Sequence, residues 1–569
     1  MANEEHSNEL DRMFRKHNRF AAKPNSINSN KYFDVHPPVF WVAAFLAVIF
    51  IATTILVGGD QMSEVFSSIQ TNISDAAGWF FILAVNFFLG FILILGFSKF
   101  GSIRLGGNDA RPEFSTGAWF SMLFSAGMGI GLIFYSVAEP MIHYLNPPSG
   151  SGEGMAAARE AMRYTFLHWG LHAWAIYALV ALALAFFCYN RGLPLSIRSL
   201  FHPILGTRVY GFWGDLIDIL AVLSTLFGLA TSLGVGVQQI NSGLGYLFGK
   251  DGGLTILGEG ATIMEPTKLV EILLIMGITA VATISVVSGI DKGVKFLSEQ
   301  NVRIAGLMLV FVMIVGPTLF IFDSLTQNIG AYMTALLEMG FWTESYQNTT
   351  WQNSWTVFYW SWWIAWSPFV GTFIARVSKG RTIKEFVFGV LLVPTLITFF
   401  WLSTFGGSAV YLELFGEGSV AQQANDNVST ALFVLLDQFP LSILTSALGV
   451  LLITGFFVTS SDSGSLVVDS LTSGGKIDAP VGQRIFWANT EGAVAAVLLY
   501  GGGLSALQTA VITTGLPFAL ILVIMCLSLY KGLEKEYAEE QEKARESERK
   551  SYYSLLHGLV SKQRSQINS

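Results

Sequence analysis

The stretch SAGMGIGLIFYSVAEP, residues 125–140, decides the class of fold. It sets Gly127, Gly129 and Gly131 in the middle of an apolar run, although glycine disfavours a helix interior by about 1 kcal/mol relative to alanine. In hydrocarbon, unwound backbone persists only where it is buried in protein or lines a cavity. Two readings follow: a crossing helix broken at mid-depth, or close helix packing through small residues. A glycine-rich phosphate loop is disfavoured, because no strand precedes the glycines and no phosphate-binding helix follows them.

The rest of the chain places that run in lipid. Of 569 residues, 52% are hydrophobic and 13% charged, with 45 Phe and 15 Trp, and the mean hydropathy is +0.52. A soluble chain carries about 25% charged residues, so several water-covered cores are excluded. A net charge of −7 argues against a nucleic-acid partner. Cys188 and Cys526 lie in apolar runs and form neither a disulfide framework nor a zinc ligand set.

Apolar stretches long enough to cross a hydrocarbon layer of about 30 Å recur at 38–58, 78–98, 117–145, 162–189, 214–247, 268–288, 303–323, 355–377, 385–412, 441–470, 485–503 and 506–530. The expectation is an all-α membrane protein of about twelve crossings spanning 37–530. Residues 1–36 read as a polar, mobile tail without the apolar core of a signal peptide. Arg104, Arg191, Arg198, Lys379 and Arg381 fall in loops that alternate with Lys/Arg-free loops at 59–77, 324–354 and 413–430. Under the positive-inside bias, both termini are cytoplasmic. Residues 325–341 read as an interfacial helix or a plain loop. Residues 531–569 hold eight Lys/Arg against seven Glu, many three or four apart, which favours an exposed helical tail.

Two aromatic segments stand out. Trp169, Trp174 and Tyr177 on one crossing would span an arc of roughly 140° of a continuous helix. Trp360, Trp362, Trp363 and Trp366 precede Pro368, expected to break the helix. An interfacial belt accounts for isolated tryptophans; four within seven residues point around the whole helix and cannot all reach one interface. Aromatic faces attract quaternary ammonium groups, so a box of these rings suits a methylated onium, and sugars less distinctively.

A third segment, FFVTSSDSG at 456–464, gathers hydroxyls and Asp462 inside an apolar crossing. Hydroxyl and carbonyl oxygens are hard ligands for a small alkali cation; interhelical hydrogen bonding is the alternative. His168 and His172 stand four apart, a zinc-compatible spacing, but no third ligand has matching spacing.

In combination, GMGIG, HWxxHxWxIY and WSWWIxWSPFxGxFxAR followed by SKGR resemble the betaine/choline/carnitine transporter family over about 37–530, most like its sodium-coupled glycine betaine carriers. The resemblance implies two inverted five-helix repeats, as in amino-acid/sodium symporters, after two extra N-terminal helices. It implies a homotrimer in a bacterial inner membrane, with no cofactor beyond sodium as coupling ion.

It also implies an onium box of Trp169, Trp174, Tyr177 and Trp363, with Trp366 and Phe369 on the inward route and the 127–131 backbone, Gly127, Met128, Gly129 and Gly131, meeting a substrate carboxylate. A sodium site would use Ser125, Met128, Phe456, Thr459 and Ser460. A second would lie near Thr225 and Phe369, but Leu229, which has no side-chain oxygen, stands where a threonine is expected. Glycine at 131, where choline carriers tend to carry aspartate, favours a zwitterion such as glycine betaine or dimethylsulfoniopropionate. Proton-driven choline uptake, carnitine exchange and trimethylamine uptake are the alternatives within the family. A membrane enzyme acting on onium headgroups and a non-transporting osmotic receptor are the alternatives outside it.

Overall fold

A computed structural model describes residues 28–29, 33–127, 129–248, 266–287, 291–347, 349–476 and 480–567. Helices of seven residues or more are numbered α1 Pro37–Val57, α2 Gly59–Phe97, α3 Thr116–Gly127, α4 Ile130–Leu145, α5 Gly154–Trp169, α6 Leu171–Tyr189, α7 Phe212–Phe248 and α8 Lys268–Val287. They continue as α9 Asp291–Val315, α10 Thr318–Gly340, α11 Thr356–Val377, α12 Ile383–Phe415, α13 Val420–Asp426, α14 Ala431–Asp437, α15 Ser442–Thr472 and α16 Val481–Ile567. The described strands are a two-residue ribbon, Asn28–Ser29 with Asp34–Val35.

Nine helical segments among the described residues are each long and apolar enough to cross a membrane. The broken pair α3–α4, the tryptophan-rich α11, and the division of α16 at Gly502 and Gly503 bring the passes to twelve, one on each apolar stretch. Burial sorts them into inner and outer helices. The apolar window of α5–α6 is 89% buried and that of α9 only 22%, so α9 presents residues such as Leu307 and Ile314 to lipid while α6 sits at the centre.

Several local features depart from the reading of the sequence. Residues 59–77 are helical and run unbroken into the crossing as α2, because Met62 and Phe66, one turn apart, are buried and the Thr509 hydroxyl reaches the Phe66 carbonyl at 3.1 Å. The stretch 303–323 is divided at Gly316 and Pro317, and 318–340 forms α10 with Tyr332 fully buried. Pro368 does not end α11. Its ring removes the donor to the Ile364 carbonyl, and the Ser367 hydroxyl takes that carbonyl instead at 2.7 Å.

A further departure matters most for the site: the crossing that carries the HW motif is interrupted at Gly170, whose ψ of −141° is not helical. A side chain there would strike the Tyr332 hydroxyl at 2.8 Å and Phe399 at 2.9 Å. The Leu171 amide freed by the break donates to that hydroxyl at 3.1 Å, so α10 supplies the partner that the helix withdraws.

Of the expected N-terminal tail, 1–27 and 30–32 lie outside the described residues. Its end is fastened: the Asp34 amide donates to Gln483 Oε1 at 2.9 Å, Lys476 pairs with Asp34 at 2.6 Å, and His36 meets Asp215 at 2.6 Å. At the other end α16 continues to Ile567. Its first turns beyond the apolar stretch dock through Arg191 to Glu536 and Glu539, both at 2.9 Å, and residues 541–560 are exposed.

The bend in α16 rests on Gly503, whose φ of 60° and ψ of −134° lie in a region kept for glycine. Gly503→Ala is expected to cost about 1–3 kcal/mol, seen as a lower melting temperature in detergent. Gly90→Ala, where an added carbon meets nothing within 4 Å, should leave the melting temperature unchanged or raise it.

Candidate functional site

Interruption at Gly170 separates residues that one helix would have carried on a single face. Trp169 closes α5, while Trp174 and Tyr177 stand on α6, one turn apart with rings 5.6 Å from each other. Trp363 enters from α11 and joins them, with its ring 4.9 Å from Trp169 at 66° and 6.2 Å from Tyr177 at 71°. Those four rings, with Trp362 and Trp366, line a cavity of about 40 Å³. One water needs about 10–15 Å³, so the box is drawn in around space for a few waters. Trp169, Trp174, Tyr177 and Trp363 are 4–6% exposed.

The sequence reading did not assign Trp362 to the site. It stacks on Trp363 at 5.1 Å and 10°, while Trp360 turns away to stack on His172 at 5.3 Å. The cluster of four tryptophans is thus shared: two rings to the box, one to its inner wall, one to packing elsewhere.

Backbone forms the opposite wall. Helix α3 ends at Gly127, Gly129 is extended at φ −159° and ψ −179°, and α4 starts at Ile130. The first amides of a helix have no partners within it, and the helix dipole adds partial positive charge at that end. Gly129 and Gly131 line the cavity. Any side chain at 131 would meet Trp362 at 2.7 Å, so glycine is needed for that ring to lie where it does. Met128 falls outside the described residues.

Beyond Trp366 lies a larger vestibule of about 260 Å³, lined by Ser125, Phe369, Phe456, Thr459, Ser460 and Ser463 among others. Trp366 belongs to both cavities and is held by its indole N–H on the Gly228 carbonyl at 2.9 Å. Ser125 from α3 and the 456–460 segment of α15 therefore share one space, where oxygen ligands from two helices could meet a cation. The Thr459 hydroxyl now donates to the Gly455 carbonyl at 3.0 Å. Asp462 points elsewhere, 3.6 Å from the Arg484 guanidinium. Thr225 lines neither cavity; its hydroxyl donates to the Ala221 carbonyl at 2.8 Å. Leu229 fills the contact between α7 and α15, where a side chain at Gly464 would overlap it.

His168 and His172 do not form a ligand pair, because the break at Gly170 lies between them. His172 meets Asn86 Oδ1 at 3.0 Å, and His168 meets Glu139 Oε1 through Nδ1 at 2.6 Å. His143 also reaches Glu139 Oε1, at 3.3 Å, which groups Glu139, His143 and His168 in a buried cluster. Glu139 Oε2 accepts from Trp169 Nε1 at 2.7 Å and from the Tyr359 hydroxyl at 2.5 Å. Sequence reasoning passed over this residue. An ionisable group within a crossing is a functional hypothesis by default, and Glu139, inside the apolar stretch 117–145, meets that description.

Comparison with known families matches residues 38–538 to BCCT, the betaine/carnitine/choline family transporter. A glycine betaine/proline/choline/ectoine transporter of Vibrio parahaemolyticus is 48% identical over 89% of this chain and 88% of its own. The glycine betaine transporter OpuD of Bacillus subtilis is 45% identical over 88% and 95%. A glycine betaine transporter of Acinetobacter baylyi is 44% identical over 91% and 76%. With a family match across nearly all of the described helices, the chain belongs to the betaine/carnitine/choline transporter family: it is an all-α, multi-pass membrane transporter of the betaine/choline type, and not an enzyme.

Proposed function

We propose that the protein imports a methylated onium zwitterion, glycine betaine first and dimethylsulfoniopropionate as a second substrate, by sodium symport with alternating access. One observation carries this reading: Trp169, Tyr177 and Trp363 stand edge to face around a cavity whose other wall is the amino-terminal end of α4. The rings receive a cation that cannot donate hydrogen bonds, at about 0.5–2 kcal/mol per contact. The α4 amides and dipole receive the carboxylate. Relatives named for glycine betaine support the choice of first substrate.

A trimethylammonium group is larger than a water molecule, so loading requires the rings to part. Binding and a change of conformation are then one event, and the substrate favours whichever state makes room for it. Sodium bound by Ser125, Met128, Phe456, Thr459 and Ser460 ties α3 to α15. It thereby fixes the end of the broken helix beside the box and couples ion entry to substrate affinity. Leu229 offers no oxygen, which favours one sodium site over two. We place both termini in the cytoplasm and the protein in a bacterial inner membrane, assembled as a homotrimer.

Uptake into proteoliposomes under imposed sodium or proton gradients tests this, comparing betaine, dimethylsulfoniopropionate, carnitine, choline and trimethylamine. Betaine uptake that follows the sodium gradient is expected; uptake indifferent to sodium would overturn the coupling. Trp363→Ala should reduce uptake of every accepted substrate by at least about tenfold, as loss of a desolvated cation–π contact requires, and near-normal transport would remove the box assignment. Combined Thr459→Ala and Ser460→Ala should raise the sodium concentration for half-maximal uptake. An unshifted sodium dependence would put the ion elsewhere.

A further inference from the structure

We propose that Glu139 is a positioning residue for the onium box, holding two of its indoles, Trp169 and Trp363, in place and setting an acidic charge behind them. This rests on the reading of the cavity as an onium site. The residue is fully buried on α4, and four groups converge on its carboxylate. Oε2 accepts from Trp169 Nε1 at 2.7 Å and from the Tyr359 hydroxyl at 2.5 Å. Oε1 meets His168 Nδ1 at 2.6 Å and His143 Nε2 at 3.3 Å.

An indole nitrogen can only donate, and a phenol and two imidazoles can each present a proton. An ionised carboxylate accepts at about four lone-pair positions and donates at none. Number and polarity match. His168 passes the restraint on: its Nε2 meets the Thr356 hydroxyl at 3.0 Å, and its backbone carbonyl accepts from Trp363 Nε1 at 2.9 Å. Trp169 is thus held directly and Trp363 through one residue, and these two rings meet edge to face at 4.9 Å.

The charge has a second consequence. None of the described residues lining the cavity is acidic. A cation in the box would be met by rings, two hydroxyl residues, Ser232 and Thr398, and backbone, and the negative charge nearest the rings would be the carboxylate on the far end of the Trp169 N–H. Hydrogen bonding of an indole to an anion polarises the ring, and the low dielectric of the interior leaves the attraction little screened. Glu139 touches no part of the cavity and acts through the rings.

Two substitutions separate position from charge. Gln retains an oxygen for Trp169 and Tyr359, while its amide faces two imidazoles that can turn acceptor by changing tautomer. Leu removes both functions. In proteoliposomes, Glu139→Leu should raise KM for glycine betaine by roughly 30-fold, the range expected for lost hydrogen bonds to a charged group, with Vmax changed less than about threefold. Glu139→Gln should raise KM by about three- to tenfold, between the other two.

Equal KM in all three, or a fall in Vmax with KM unmoved, would overturn the proposal. Should Glu139→Leu give no folded protein by size exclusion and melting temperature, Glu139→Gln decides: a KM changed by less than about twofold overturns it. If the unaltered protein takes up choline or carnitine but not betaine, the substrate assignment fails, and the same comparison is made with the accepted onium. If it takes up no onium, both fail.

Discussion

A backbone amide released from a helix inside hydrocarbon has no water to turn to, and the whole arrangement follows from where this chain releases its amides. It does so where α4 begins and at Gly170; Gly129 and Gly131 line the small cavity, and so does Trp169, the residue before the second break. Each release is covered differently. Leu171 is taken by Tyr332 from α10, whereas the start of α4, at Gly129 and Gly131, borders the space between the rings. An uncovered helix end at that depth is tolerable only beside something polar, which is why the cavity and the break belong together.

That arrangement explains the distribution of bulk around the box. Glycine at 131 lets Trp362 lie against the α4 start, Gly170 lets Phe399 and Tyr332 close over the second break, and Trp363 stacks on Trp362. Ring contacts then continue outward through Tyr359 to His168, whose ring stacks on it at 4.6 Å. Trp169, Tyr359 and Trp363 each donate to an oxygen behind the rings, so the aromatic wall is held by hydrogen bonds at its back edge.

Much of the fold was legible. Twelve apolar stretches match twelve passes because length and composition suffice when the solvent is lipid. Gly127, Gly129 and Gly131 announced an interruption but could not distinguish it from close packing, since both need small residues. Gly170 was missed for the opposite reason: one glycine in a strongly apolar run is tolerated in a helix, and its break depends on Tyr332, 162 residues away. Pro368 misled because Ser367, beside it, satisfies the carbonyl that proline abandons. In the site, ring types were readable and their partners were not. Nothing in the spacing of Glu139, Trp169 and Tyr359 reveals that one carboxylate holds both rings.

Trp366 stands as the common partition of two compartments, about 40 Å³ on one side and about 260 Å³ on the other. Its indole is latched to α7 by a single hydrogen bond. The same ring packs edge-on against Phe369 at 5.3 Å and lies close against α7 at Gly228. A substitution that shortens residue 366 would thin the wall that the two spaces share.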